Sequence, residues 1–207
     1  KAGDLVREAA HSSDFVNYRI LSRLYDFSNR EQIDLFSLFE REILMFINFP
    51  VELSPGISNA SDWWRFLKKG MQPRTSMHDA SYMDFQAKIL SFNTELSNYL
   101  HSIVQSANEY LQDKFNQKIT IRFNYIPSSY DAFIEGSRTK RNRKTIPPKI
   151  ILSVDLLHGI AHAPAINLGR PQSFLNEAKL TAIALSIRFA IIDAKYLPDA
   201  SKILVFD

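Results

Sequence analysis

The residues from Ser173 onwards combine a loop, a helix and a short strand in an order that suits phosphate binding. Asn176 stands where a helix N-cap belongs. The first amides of a helix point outward, carry about half a positive charge and can bind a phosphate. Lys179 adds a mobile cation near that end. We therefore expect an anion-binding helix tip, formed by Leu175, Asn176, Glu177, Ala178 and Lys179.

An acid follows the last apolar strand of this segment. The run 178–194 is apolar almost all round and predicts a buried helix, and Ile203 to Phe206 predicts a short, fully buried strand. Asp207 comes directly after that strand. Sheets of the α/β class place ligand sites at the carboxyl ends of their strands, and an aspartate there commonly holds magnesium through water. Asp207 is therefore the candidate catalytic and metal-binding residue.

This order of segments resembles the C-terminal lobe of an ATP-binding-cassette (ABC) head, closest to the SMC and RecF-like branch. In that family the segment at 175–179 is the signature motif, usually Leu-Ser-Gly-Gly followed by Gln or Glu. The strand ending at Asp207 corresponds to the Walker B strand. The resemblance implies that 175–179 contact ATP in trans and that Asp207 binds Mg²⁺ in cis. It also implies a homodimer of heads that ATP joins and hydrolysis releases.

The signature-like segment departs from the family pattern. Asn176 stands for the serine, and Glu177 and Ala178 stand for the two glycines. Asparagine can still cap the helix and donate to a phosphate, and alanine permits close approach, whereas Glu177 puts a negative charge near the polyphosphate. No Gly-x-x-x-x-Gly-Lys-Ser/Thr loop occurs, and the catalytic glutamate expected after Asp207 is not in the sequence.

The two ends of the sequence suggest a longer polypeptide. The chain starts at Lys1 and stops just after a hydrophobic strand. We expect the main phosphate loop to lie outside these residues, and we expect the chain to be unable to hydrolyse ATP alone.

A basic tract is the best candidate for contact with nucleic acid. The net charge is +3, and residues 88–207 carry 15 basic and 10 acidic side chains, which gives +5. Five cations without an acid are Arg138, Lys140, Arg141, Arg143 and Lys144. Such a tract contacts phosphates with a steep dependence on salt. The alternative is a mobile, solvated hairpin loop.

The patterns predict a mixed, helix-rich α/β chain in three parts: a helical region at 1–80, a long helix at 81–115, and the C-terminal lobe at 116–207. Apolar spacings predict helix over 1–50, and Ser61-Asp62 could cap a short helix. In the long helix, Ile89, Leu96 and Ile103 fall seven apart, which fits either a coiled-coil arm or an amphipathic helix on a globular core. Period-two alternation predicts a strand at 119–125, and an apolar run predicts another at 149–154.

Composition excludes several other classes. There is no cysteine, so disulfides, thiolate zinc sites and cysteine nucleophiles are impossible. No apolar run reaches about 18 residues, so we expect no membrane span and no membrane partner. The absence of cysteine suits a reducing compartment, and we expect a cytoplasmic protein. His158 and His162 are four apart, but Gly159 and Pro164 argue against a helix there and no third ligand is evident. A nuclease-like set at Asp131, Glu135 and Lys140 has only generic spacing.

The leading hypothesis is an SMC/RecF-like ATPase whose ATP-driven head dimerisation is coupled to DNA binding or to a nuclease or other effector subunit. Such proteins act in DNA repair and maintenance or in anti-phage and anti-plasmid defence. The alternative is a non-catalytic scaffold or interaction module with a degenerate ATPase head. The residue after Asp207 discriminates the two, since a glutamate there supports hydrolysis.

Overall fold

The computed structural model describes residues 13–16, 32–52, 59–69, 80–134, 141–157, 165–195 and 203–206. Over these ranges the chain is mixed α/β and rich in helix. Contacts divide it into two compact units. The first contains Lys1–Ile33, His101–Phe123 and Leu152–Asp207, and the second contains Asp34–Leu100 and Asn124–Ile151.

The helices are α1 (Phe36–Leu38), α2 (Ala60–Lys69), α3 (Ala80–Glu109) and α4 (Glu177–Lys195). A π-helical turn (Phe39–Ile43) and a 3₁₀ turn (Leu44–Phe46) follow α1, a second π-helical turn (Tyr110–Lys114) extends α3, and a 3₁₀ turn (Pro171–Ser173) precedes α4. The long helix and the buried C-terminal helix predicted from the sequence are both present. None of the helices in the described ranges combines the length and the apolar character that crossing a membrane requires.

The strands are β1 (Ser13–Val16), β2 (Ile119–Ile126), β3 (Ser129–Ile134), β4 (Arg141–Ile146), β5 (Lys149–Leu156), β6 (Ile166–Leu168) and β7 (Ile203–Phe206). One sheet has the order β2-β5-β6, with β5 and β6 antiparallel. β3 and β4 form an antiparallel pair, and β1 and β7 form a parallel pair. The predicted strands at 119–125, 149–154 and 203–206 are confirmed as β2, β5 and β7.

Two local predictions are wrong. Ser13–Val16 is a strand where the apolar spacing predicted helix, because it pairs with β7, which lies almost at the other end of the chain. The cap of α2 is Asn59 and not Ser61-Asp62. The Asn59 side chain accepts bonds from the amides of Ser61 at 2.9 Å and Asp62 at 3.3 Å, which satisfies two of the free amides at the start of this helix.

The core of the second unit is built from aromatic side chains. Phe92 of α3 is fully buried, stacks on Trp64 with ring centroids 5.6 Å apart, and meets Phe49 edge-on at 5.8 Å. Phe85, two turns earlier on α3, meets the ring of Tyr130 at 4.9 Å. Aromatic pairs in these geometries add to the free energy gained by burial alone. Trp63 and Trp64 are 1% and 3% exposed, so this pair belongs to the core.

The apolar stripe of α3 is buried within this chain. Ile89, Leu96 and Ile103 are at most 3% exposed, and Phe92, Leu100 and Ala107, at the alternate positions of the stripe, are equally buried. This is the burial pattern of an amphipathic helix on its own core. Whether the helix also serves as a coiled-coil arm stays a prediction.

Carboxamides of α3 pair with backbone groups outside the helix. Asn108 accepts from the amide of Ile121 at 2.7 Å and donates to its carbonyl at 3.1 Å. Asn93 does the same with Ser128, at 2.9 Å and 2.8 Å. An unpaired strand edge can pair with another chain, so side chains that occupy these groups protect the edge of β2 and the residues after it.

Candidate functional site

The tip of α4 has a side-chain cap at the residue that the sequence marked. The Oδ1 atom of Asn176 accepts a bond from the amide of Lys179 at 3.1 Å, and its backbone carbonyl accepts the first helical bond, from Leu180, at 3.1 Å. Glu177 lies in the first turn, where a negative charge favours the helix dipole. Asn176 is therefore an N-cap, as predicted.

This tip is open to solvent. Asn176, Glu177 and Ala178 are exposed, and Leu175 and Lys179 are half-buried. Phe174, just before them, is 68% exposed. The preceding 3₁₀ turn fixes the backbone at this tip, since the amide of Leu175 donates to the carbonyl of Pro171 at 2.8 Å. The tip is thus a fixed, accessible helix terminus with the capping oxygen already in use.

β7, the strand predicted to carry the acid, pairs in parallel with β1. The register places Ser13 beside Ile203 and Val16 beside Phe206. In a parallel pair the carboxyl ends of both strands meet at the same edge, where ligand sites of α/β sheets lie. Asp207, the next residue in the chain, lies outside the described residues, so its role in binding Mg²⁺ stays a prediction.

The basic tract is a strand from Arg141 onwards. Arg141, Arg143 and Lys144 belong to β4, which pairs with β3 so that Lys144 stands opposite Asp131 and Arg143 opposite Ala132. The alternative of a hairpin loop therefore does not hold for these three residues, which lie in a strand, and contact with nucleic acid stays a prediction. Arg138 and Lys140 lie outside the described residues. β4 ends close to α2, because the buried hydroxyl of Thr145 donates to the carbonyl of Leu67 at 2.6 Å.

A buried carboxylate, which sequence reasoning missed, joins the three strands β2, β5 and β6. Asp155 of β5 is 2% exposed. Its Oδ1 atom accepts a bond from Asn167 of β6 at 2.7 Å, and its Oδ2 atom forms an ion pair with Arg122 of β2. The sequence did offer a signal, since Asp155 stands near the end of a mostly apolar strand. A carboxylate buried in such a strand requires a partner for its charge.

The second π-helical turn is joined to α4 by a tyrosine–carboxylate hydrogen bond. The hydroxyl of Tyr110 donates to Asp193, and this bond, followed by burial, raises the pKa of Tyr110 to about 12. The ring of Phe189 lies 5.4 Å from that of Tyr110 and stacks on Phe115 at 6.3 Å. A cavity of about 210 Å³ beside this bond is lined partly by Glu109, Asp113 and Lys114.

In the second unit, one carboxylate gathers two donors. Oε1 of Glu40 accepts from the indole of Trp64 at 2.9 Å and from Lys68 at 2.8 Å. Burial raises the pKa of Glu40, but the bonds from Lys68 and Trp64 and the charge of Lys68 outweigh it, so the pKa lies below its usual value. Arg41 and Arg65 lie beside this group.

Metal binding has no support among the described side chains, where no group of three or more His, Asp or Glu residues could hold an ion. The pair His158 and His162 lies outside the described residues, as do Glu135 and Lys140. Asp131 is on β3.

Comparison with known proteins assigns no family. No protein-family model matches the chain, and no curated protein or solved structure matches it. Any assignment of function therefore depends on the residues themselves and on the resemblance that they carry.

Proposed function

We propose that this chain supplies the C-terminal lobe of an ABC-type ATPase head of the SMC/RecF-like kind. The observation that supports it best is the tip of α4, which is exposed and capped by Asn176, the residue that stands for the signature serine in the sequence resemblance. The parallel pair β1–β7 supports it further, since it gives the acid-bearing strand the setting of an α/β nucleotide site.

In this proposal the α4 tip binds the terminal phosphate of an ATP molecule held by a second copy of the head. The side chain amide of Asn176 donates to phosphate oxygen while its Oδ1 atom continues to cap the helix. Lys179 contributes a cation one turn into the helix. ATP bound with Mg²⁺ contacts both heads through its phosphates. Asp207 would hold the Mg²⁺ ion of the ATP molecule bound by its own head.

Ala178 and Glu177 set the strength of this contact. The methyl group of Ala178 is small enough for a phosphate to approach the backbone, whereas the exposed carboxylate of Glu177 repels it. We therefore expect weaker ATP-dependent dimerisation than a Gly-Gly signature gives.

The wider proposal couples head dimerisation to DNA. The cations at Arg138, Lys140, Arg141, Arg143 and Lys144 bind the phosphate backbone, and a nuclease or other effector subunit acts on the DNA so bound. The setting is cytoplasmic, in DNA repair and maintenance or in anti-phage or anti-plasmid defence.

A second candidate is a scaffold with a degenerate head. Two observations favour it: Asn176 already uses its oxygen in capping, and Glu177 places a negative charge on the exposed first turn. In that case α4 is a structural helix and ATP does not join two copies.

Substituting Asn176 by arginine in the intact protein tests the first proposal. The long side chain of Asn176→Arg blocks the approach of a phosphate from the facing head, so ATP-dependent dimerisation should be lost while nucleotide binding by the monomer is retained. Dimerisation is read by light scattering with and without ATP, and binding by a fluorescent nucleotide. Asn98→Arg, at an exposed position of α3, is the matched control.

Two outcomes decide the matter. Loss of the dimer in Asn176→Arg but not in Asn98→Arg supports the signature role. Normal ATP-dependent dimerisation of Asn176→Arg removes it and leaves the scaffold.

A further inference from the structure

We infer that the groove between the first π-helical turn (Phe39–Ile43) and α2 binds the phosphate backbone of a nucleic acid that also contacts the basic tract carried in part by β4. This inference rests on the proposed DNA binding of the basic tract and deepens it. It adds three cations that lie far from that tract in the sequence: Arg41, Arg65 and Lys68.

The groove is formed by one face of α2 and the turn beside it. Ser61, Trp64, Arg65 and Lys68 recur at three- and four-residue spacings along that face, which is the spacing of neighbours on a helix. Arg41 and Glu40 supply the other wall. The groove is open to solvent and has a volume of about 380 Å³.

The charges in the groove favour an anion. Arg41, Arg65 and Lys68 line it together with Glu40, and Asp62 pairs with Arg65, so these five side chains carry a net charge of +1. The negative charge of Glu40 is paired within the groove, because its Oε1 atom accepts hydrogen bonds from both Lys68 and the indole of Trp64. The side chains of Arg65 and Lys68 are 68% and 48% exposed, so their charged groups can reach a ligand in solvent.

Each of the two arginines is oriented by one hydrogen bond and retains further N–H donors. Arg41 donates from Nε to the carbonyl of Ser37 at 3.2 Å, and Arg65 donates from one terminal nitrogen to Asp62 at 3.1 Å. A guanidinium has five N–H groups in a planar fork, so each of these arginines keeps several that suit phosphate oxygens. Ser61 adds a hydroxyl at the same face.

The fold joins this groove to the basic strand. α2 packs against β4, and the buried hydrogen bond from Thr145 to the carbonyl of Leu67 fixes that contact. Thr145 is the residue after Lys144, and Leu67 is the residue before Lys68. Two cationic segments that are more than 70 residues apart in the chain are therefore adjacent in space. The inference therefore requires a polyanion, since a single phosphate ion cannot contact both segments.

The test measures binding of a fluorescent DNA duplex to the intact protein without nucleotide, over a range of KCl concentrations. The groove variant carries Arg41→Gln, Arg65→Gln and Lys68→Gln. Counterion release predicts that the slope of log K against log salt becomes shallower by about 2.7 for three lost phosphate contacts. The single change Arg65→Gln, in an exposed ion pair with Asp62, should make the slope shallower by about 0.9. This variant keeps the test valid even if the triple variant fails to fold.

The control changes the net charge equally at residues that do not line the groove. Lys114→Gln, Lys118→Gln and Lys149→Gln replace three exposed lysines. The inference holds if the slope falls for the groove variants and stays unchanged for the control. Equal effects in both triples overturn it, because the loss would then reflect net charge alone.

Two further arms separate the possible outcomes. Neutralising Arg138, Lys140, Arg141, Arg143 and Lys144 together tests the basic tract independently, so an effect of the groove without an effect of the tract keeps this inference and removes that part of the proposed function. Calorimetric titration with inorganic phosphate tests a small-anion site. If the groove variant loses phosphate binding but keeps its salt slope on DNA, the nucleic-acid assignment is wrong.

Discussion

Removing the guanidinium of Arg122 should destabilise the protein by about 2 kcal/mol. Asp155 is 2% exposed, and its two oxygens are bonded to Asn167 and Arg122. In Arg122→Met the buried carboxylate keeps only the first bond. Losing one partner of a buried ion pair costs about 3–5 kcal/mol. The side chain of Arg122 is 61% exposed, so water replaces part of the lost bond and the cost falls towards the 1.5–3 kcal/mol of a hydrogen bond to a charged group.

Chemical and thermal unfolding of the variants measure this cost. For a chain of this size, 2 kcal/mol corresponds to a fall in Tm of about 4–8 °C. Asp155→Asn removes the charge while keeping the shape, so the double variant with Arg122→Met should lose less than the sum of the singles, with a coupling of about 1–2 kcal/mol. Lys149→Met, at an exposed strand position, is the control. Additive losses, or an Arg122→Met variant as stable as the control, would refute the reasoning.

This cluster also bears on the proposed site. Asn167 lies on β6, and β6 leads through the turn at Pro171–Ser173 into α4. Anchoring β6 to β5 therefore fixes the chain shortly before the α4 tip. We expect Asp155→Asn to reduce ATP-dependent dimerisation as well as stability.

Three further predictions concern single side chains. Replacing Asp193 by Asn removes the acceptor charge, so the pKa of Tyr110 should fall from about 12 towards 10.0 in an absorbance titration of tyrosinate, and an unchanged titration would contradict the hydrogen bond. The pKa of Glu40 is lowered from 4.5, so the stability that it contributes is present above that pH and is lost as the pH falls through the lowered pKa. Lys68→Met should therefore lose less Tm than the wild type on acidification below about pH 4.5, and equal losses would exclude this ion pair as the cause. Asn176→Ala should cost about 1 kcal/mol as a lost N-cap whereas Asn176→Asp should not, and equal stabilities in denaturant titration would argue against the cap.

Local patterns predicted the elements whose own sequence carries the signal. The alternation of Ile119, Ile121 and Phe123 predicted β2, and the apolar run after Lys149 predicted β5. Asn176 was identified as a cap because a polar residue stood just before an apolar helix, and the structure confirms its bond to the amide of Lys179.

The elements that were missed depend on partners elsewhere in the chain. β4 begins Arg-Asn-Arg-Lys and has no apolar alternation, so its strand character comes from the ladder with β3. β1 is four residues long and pairs with β7 across nearly the whole sequence, which no local window contains. The contact between α2 and β4 through Thr145 and Leu67 likewise depends on the tertiary structure and leaves no local sequence signal. The groove beside α2 was therefore invisible until the fold brought its cations together.

The most direct test of the ATP-binding account is hydrogen–deuterium exchange at the α4 tip of the intact wild-type protein. Amides of residues 174–180 should exchange more slowly when ATP and Mg²⁺ are added, and only at protein concentrations where the dimer forms, because the phosphate that protects them is held by the facing copy. Exchange at this tip that is unchanged by ATP in a protein that does bind ATP would contradict the account.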